Sequence, residues 1–187
     1  MPAATSPPEH LRQEVQSVLI SEAEIARRVR ELATEIERDY TDKELLMVAL
    51  LTGTVPFLAD LMRHVTLPLR LDFMGVSSYG DDTAPGELVF TKELRLEARD
   101  RDVLLVDDIL DTGQTLHAVL DKLTDLQPRS LKTCVLLEKT SRRRESVTAD
   151  YVGFEVPDEF VVGYGLDYAE RYRNLPFIGV LKPEVYA

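Results

Sequence analysis

The stretch VLLVDDILDTGQTL, residues 103 to 116, places Asp107, Asp108 and Asp111 at the end of an aliphatic run and just ahead of a glycine turn. Carboxylates so close together are unfavourable unless cations, hydrogen bonds or a ligand compensate them. VLLV reads as a strand, DDILDTG as a loop and QTLHAVL as the opening of a helix. Thr112, Gly113, Gln114 and Thr115 then present successive backbone N–H groups at a helix N-terminus, a nest whose usual guest is phosphate. Gly113 lets the backbone come close, while Thr112 and Thr115 add hydroxyl donors. Asp107 and Asp108 alone would repel a phosphate. They fit if they accept hydrogen bonds from sugar hydroxyls or face a Mg2+ ion carried by the ligand. A ribose 5-phosphate meets both demands.

For such groups to meet, the chain must deliver them to one edge of a sheet. ELLMVALLTG (44–53), DVLLVDD (102–108) and LKTCVLLEK (131–139) are continuous aliphatic runs of the kind buried on both faces, and LRLDFMGVSSY (69–79) reads as a further strand. Ser21 and Glu24 form a capping box, and Ile25, Val29, Leu32 and Ile36 follow at helical spacing, which predicts a helix over 21–39. TVPFLADLMRHV (54–65) is helical with Pro56 in its first turn, and QTLHAVLDKLTDL (114–126) carries Leu116, Val119, Leu120, Leu123 and Leu126 on one face. GDDTAPGE (80–87) reads as a long mobile loop or hairpin tip. YVGFEV, EFVVGYGL and FIGVL follow as short strands in a less regular C-terminal part. Strands alternating with helices predict an α/β domain around a mostly parallel sheet. Ligands bind beyond the carboxyl ends of such strands, where the acidic cluster, LLTG and LLEK all fall. With neither an internal repeat nor a linker, the reading is one domain over 11–187 behind a disordered tail, 1–10.

The composition bounds the partners. The chain has 187 residues, 44% hydrophobic and 29% charged, which fits one soluble globular domain. Its net charge of -11 argues against a nucleic-acid surface. The basic cluster SRRRE (141–145) reads as an exposed turn with solvated charges. No apolar run approaches the ~18 residues that a membrane span needs. The first ten residues lack the basic region and apolar core of a secretory signal. The single cysteine, Cys134, lies in an aliphatic run and reads as a core residue, which suits a reducing, cytoplasmic compartment. His10, His64 and His117 have no metal-ligand spacing. DTG also marks aspartic proteases, but those need a second aspartate in a β-rich cleft, whereas this DTG opens a helix in an α/β pattern.

VLLVDDILDTGQTL resembles the phosphoribosyl-diphosphate-binding signature of the type I phosphoribosyltransferases, and residues 15 to 182 are similar to the hypoxanthine-guanine branch of that family. The residue three places after the second acid separates the branches. Adenine and orotate enzymes, and RNA-binding regulators of pyrimidine operons, carry Ala, Thr or Tyr there, while 6-oxopurine enzymes carry Asp, as at Asp111. The resemblance implies the type I fold: a mostly parallel sheet flanked by helices, with a small irregular hood and a mobile loop near 77–90. It also implies purine salvage, a Mg2+-dependent transfer of 5-phosphoribosyl from 5-phosphoribosyl 1-diphosphate to N9 of hypoxanthine or guanine. The products would be IMP or GMP and pyrophosphate.

By resemblance, Asp111 exchanges a proton with purine N7, work that suits a carboxyl crowded by other acids. Asp107, Asp108, Ile109, Leu110, Thr112, Gly113, Gln114 and Thr115 bind ribose and its 5-phosphate. Asp107 stands where Glu is common, and the shorter acid still reaches a ribose hydroxyl. Thr52 and Gly53 of LLTG contact pyrophosphate through their backbone, Thr52 replacing a frequent Lys. Ser78 and Tyr79 belong to the loop that closes over the site and excludes water. Lys139 donates to the purine 6-oxo group, Phe160 stacks on the base, and the Val161 backbone reads its edge. Asp167, with Asp107 and Asp108, faces the Mg2+, and Arg173 meets pyrophosphate. The resemblance further implies a homodimer or homotetramer with neither nucleic acid nor membrane as partner.

Overall fold

The computed structural model describes residues 9–11, 13–79 and 87–186. In chain order the elements are β1 (Val15–Ile20), α1 (Glu22–Asp39), β2 (Leu45–Leu51), α2 (Val55–His64), β3 (Leu69–Tyr79), β4 (Glu87–Lys92), β5 (Asp102–Leu110), α3 (Gln114–Asp125), β6 (Ser130–Glu138), β7 (Tyr151–Glu155), β8 (Val161–Val162), β9 (Ile178–Leu181) and α4 (Pro183–Tyr186). The main sheet has the order β4-β3-β2-β5-β6-β7, parallel throughout except for β4 at one edge. A smaller antiparallel sheet, β1-β9-β8, stands beside it.

The central strands are aliphatic without interruption because both of their faces are covered. Side chains alternate between faces along a strand. Leu45, Met47 and Ala49 of β2, with Leu104 and Val106 of β5, therefore join the core beneath α1 and α2. Leu46, Val48, Leu50, Val103 and Leu105 turn the other way, onto Leu116, Val119 and Leu123 of α3. Helix α1 begins as its capping box requires: the Ser21 hydroxyl accepts from the Glu24 amide at 3.3 Å, and the Ser21 amide donates to the Glu24 carboxylate at 2.8 Å. Cys134 is wholly buried in the middle of β6, and burial pushes its thiol pKa far up. Among the described residues no helix is long and apolar enough to cross a membrane.

Three expectations are refined by the structure. β5 keeps both acids, as the strand DVLLVDD (102–108) has it, and does not cede them to a loop DDILDTG. It pairs with β6 as far as Leu110 opposite Glu138, so Asp107 and Asp108 are strand residues and the loop shrinks to 111–113. Ladder bonds to β6 hold this polar end extended. In the segment near 77–90, residues 77–79 and 87–90 are strand: β3 and β4 pair from Gly75–Lys92 to Tyr79–Glu87, and the other half, 80–86, lies outside the described residues. The hood is a small antiparallel sheet whose β1–β9 register shifts twice, between Val15 and Ser17 and between Val18 and Ile20, and β1 reaches β9 across most of the chain. The tail read at 1–10 lies outside the described residues up to position 8, and Glu9–Leu11 forms a short 3-10 turn.

The root of the β3–β4 hairpin is tied by Asp72. Its carboxylate accepts from the amides of Phe73 (2.8 Å), Arg95 (2.6 Å) and Leu96 (2.8 Å) and from the Lys92 ammonium (3.1 Å). Burial opposes ionisation, but the amides of Leu96, Phe73 and Arg95 and the Lys92 ammonium outweigh it and bring the carboxyl pKa down to about 2. A depressed carboxyl pKa stabilises the fold above the unfolded value, near 4, and that contribution is lost as pH falls toward 2. Asp72→Asn is expected to cost about 2 kcal/mol at pH 7, with the gap to wild type closing between roughly pH 4 and pH 2. Urea unfolding of both chains across that range checks it; a gap independent of pH would sink the assignment.

Candidate active site

Beyond the carboxyl ends of β2 and β5 lies an open cleft of about 340 Å³. Its walls come from the turn after β2 (Thr52, Gly53, Thr54), the end of β5 (Asp107 to Leu110), the loop into α3 (Asp111, Thr112, Gly113), Thr115 in the first turn of α3, and the hood-side pair Asp167 and Arg173. The parallel register explains the meeting: β2 and β5 run side by side from Leu45–Asp102 to Ala49–Val106, so their ends open on the same edge.

Asp107 is buried, accepting from the Thr54 hydroxyl at 3.2 Å and from the Asp108 amide at 2.9 Å. Burial, and then the Asp108 charge, push its carboxyl well above the usual range. Burial also raises Asp108, against hydrogen bonds from Asp107 and the Ile109 amide and the Arg173 charge. Arg173 offsets this only in part, and a cation or hydroxyl donors would supply the rest. The hard oxygen atoms of the two carboxyls suit Mg2+. Among the described residues no three metal-ligating side chains cluster, so the remaining ligands of such an ion would come from substrate and water.

Backbone sets the cleft's width. A Cβ on Gly53 would lie 1.8 Å from the Asp108 carboxylate, and one on Gly165 would lie 1.8 Å from the Gly53 carbonyl oxygen. Arg173 donates to the Gly165 carbonyl at 2.9 Å and pairs with Asp167 at 2.9 Å and with Glu170 at 2.9 Å. Asp167 also accepts from the Glu170 amide at 2.9 Å.

On the other side Gly113 caps α3 with φ +88. A cap without a side chain leaves the first-turn N–H groups pointing at whatever sits above them. The loop rests on residues 143–145: the Thr112 carbonyl accepts from the amides of Arg144 (2.9 Å) and Glu145 (3.1 Å). Here SRRRE departs from the solvated turn expected of it. Arg143 pairs with Glu138 at 2.8 Å and donates to the Asp111 carbonyl at 3.3 Å and to the Val147 carbonyl. Arg142 reaches the Asp111 carboxylate at 3.5 Å, and the other Asp111 oxygen, Oδ1, is buried with no hydrogen-bond partner among the described residues. Like charges in a row suggested solvation, yet their acidic partners sit on neighbouring segments, Glu138 at the end of β6 and Asp111 and Asp158 further along the chain.

Of the remaining sequence candidates, Lys139, Phe160, Val161 and Gln114 do not line the cleft. Lys139 is buried, and its amide bonds to the Leu110 carbonyl at 2.9 Å, one residue from Asp111. Val161 is buried in β8 opposite Val180. The Phe160 ring stacks on Tyr186 (4.6 Å between centroids, 23°) and meets the edge of Tyr168 (5.5 Å, 89°). Ser78 and Tyr79 end β3, and their side chains lie outside the described residues. Leu50, Leu51, Thr54, Val76 and Leu116 line the cleft without having been foreseen. Thr54 stood in plain view as the third residue of TGT, but its bond to Asp107 is made through space.

The family model described as the phosphoribosyl transferase domain matches residues 17–169. The hypoxanthine-guanine phosphoribosyltransferase of Bacillus subtilis (strain 168) is 49% identical over 177 residues, covering 94% of this chain and 98% of that protein. Its Streptococcus pyogenes (serotype M3) namesake is 43% identical, covering 95% and 99% respectively. The crystal structure of a hypoxanthine phosphoribosyltransferase from Staphylococcus aureus superposes with a TM-score of 0.92 at 42% identity, covering 97% of this chain and all of that one.

Proposed function

The chain belongs to the phosphoribosyl transferase family, and from that premise we infer that it is a purine-salvage hypoxanthine-guanine phosphoribosyltransferase, moving 5-phosphoribosyl from its 1-diphosphate to N9 of hypoxanthine or guanine. The observation that carries the reading is Asp111: it opens the phosphate loop at the cleft wall with one carboxylate oxygen buried and unpartnered among the described residues. An acceptor held dry in this way is suited to a substrate proton.

The 5-phosphate sits on the first-turn N–H groups of α3 with the hydroxyls of Thr112 and Thr115, Gly113 and Gln114 shaping the nest. Ribose hydroxyls donate to Asp107 and Asp108, while Ile109 and Leu110 carry the strand past the sugar. As purine N9 bonds to the anomeric carbon, the bond from that carbon to the diphosphate oxygen breaks, and its electron pair leaves with pyrophosphate. Asp111 takes the N7 proton in the same event. Arg173 and the Thr52–Gly53 backbone receive the leaving group. Lys139 donates to the 6-oxo group, Phe160 stacks on the base, and the Val161 carbonyl and amide read its edge. Ser78 and Tyr79 cover the developing oxocarbenium-like sugar. Asp107 and Asp108 on one wall of the cleft and Asp167 on the other would face Mg2+ mainly through substrate oxygens and water, since no three of the described carboxylates converge on one point, and the ion would neutralise charge on the diphosphate.

We assign this activity to one domain over 11–187 in a cytoplasmic homodimer or homotetramer; the single buried thiol is compatible with a reducing compartment. The test is an assay with phosphoribosyl diphosphate, Mg2+ and each of adenine, guanine, hypoxanthine and xanthine. IMP and GMP are expected from hypoxanthine and guanine, and adenine should be inert. No conversion of any 6-oxopurine would overturn the function.

A further inference from the structure

We propose that Arg142 is a positioning residue for the purine step, spanning two carboxylates at the base side of the cleft and fixing the orientation of Asp111. The inference rests on the reading of Asp111 as the group that handles the N7 proton.

The geometry is asymmetric. Asp111 Oδ1 is buried and unpartnered among the described residues, whereas Oδ2 faces Arg142 Nη1 at 3.5 Å. Arg142 Nε lies 3.8 Å from Asp158 Oδ1. Asp158 stands two residues before Phe160, so one guanidinium joins the loop carrying the proton acceptor to the turn that leads into the stacking ring. Both distances exceed the 2.7–2.9 Å of a tight charge-assisted hydrogen bond, so the guanidinium is shared between the two acids. Exposed ion pairs add little to folding, and Arg142 and Asp158 are each about half exposed. Removing Arg142 should therefore spare stability.

What it supplies is direction. The carboxylate torsion of an aspartate is broad and nearly two-fold. With Oδ2 held by the guanidinium, Oδ1 is the oxygen left for the base. The Asp111 main-chain oxygen is held separately by Arg143 Nε at 3.3 Å, so the loop keeps its path while only the side chain is released. A guanidinium presents several donors in one plane and can serve two carboxylates at once, which an ammonium does less well.

Steady-state kinetics with hypoxanthine and phosphoribosyl diphosphate test this on the intact enzyme. Arg142→Ala is expected to lower kcat by roughly 10- to 100-fold, the scale of a small misplacement of a reacting group. KM for phosphoribosyl diphosphate and the melting temperature should stay near wild type. Arg142→Lys should recover only part of the loss. In an Asp111→Asn background Arg142→Ala should cost little more, because a residue acting through Asp111 has nothing left to position. The proposal is overturned if Arg142→Ala keeps kcat within twofold, if its loss multiplies fully with that of Asp111→Asn, or if phosphoribosyl diphosphate binding falls in step with kcat. A wild type that converts no 6-oxopurine would instead defeat the functional reading beneath it.

Discussion

Asp111→Asn is expected to lower kcat with hypoxanthine by roughly 10²- to 10⁴-fold, the usual worth of a positioned general base. Binding of phosphoribosyl diphosphate should change little. The substitution keeps the size and shape of the side chain and removes its capacity to take a proton. The oxygen concerned, Oδ1, is buried without a partner among the described residues, so the free enzyme loses no hydrogen bond to them there. The surrounding loop is held by main-chain contacts to Arg143, Arg144 and Glu145 that the substitution does not touch. Kinetics and calorimetric titration with phosphoribosyl diphosphate separate the two effects. A variant within about fivefold of wild-type turnover would remove Asp111 from the chemistry.

Gly165→Ala carries the largest expected effect on stability. The added methyl would lie 1.8 Å from the Gly53 carbonyl oxygen and 3.0 Å from Pro56 Cδ, at a residue whose φ is +103. Main chain blocks it on one side and its own backbone conformation penalises it on the other. Overpacking costs about 1–3 kcal/mol, and a comparable strain attends a side chain at this φ. The sum corresponds to a melting temperature lower by roughly 5–15 °C for a chain of this size. Activity should suffer as well, because Gly165 exchanges hydrogen bonds with Arg173 in both directions. Its neighbour Gly53 leaves no room beside Asp108 for anything larger. Calorimetry with an initial-rate assay reads both, and an unchanged melting temperature would mean that the two turns do not cross so closely.

The sequence made the main sheet and its ligand edge legible because both are local in origin. Aliphatic runs announce strands covered on both faces, and a capping box announces α1. Thr-Gly-Gln-Thr announces the nest whatever surrounds it. What escaped was set by distant pairing. β1 is six residues long and has meaning only opposite β9. Asp107 and Asp108 read both as the end of a strand and as the start of a loop because charge is rare within a strand, and the β6 ladder puts them in β5. Arg142 and Arg143 resembled a solvated run because Glu138, Asp111 and Asp158 sit on other segments. Phe160 was expected at the base but does not line the cleft, and Tyr186, on which it stacks, follows only after β9 has turned back beside it.

Cys134 has a practical consequence. It is the chain's only thiol, fully enclosed at the middle of β6, and burial holds it in the unreactive protonated form. A disulfide reagent added from outside can reach that sulfur only when the core that Cys134 shares with α1 is laid open. The molecule thus carries one chemical clock, which ticks at the rate of its deepest opening. Any ligand that binds the closed form alone slows that clock in proportion to its occupancy. Substrate engagement can therefore be timed at a point that touches neither base nor phosphate.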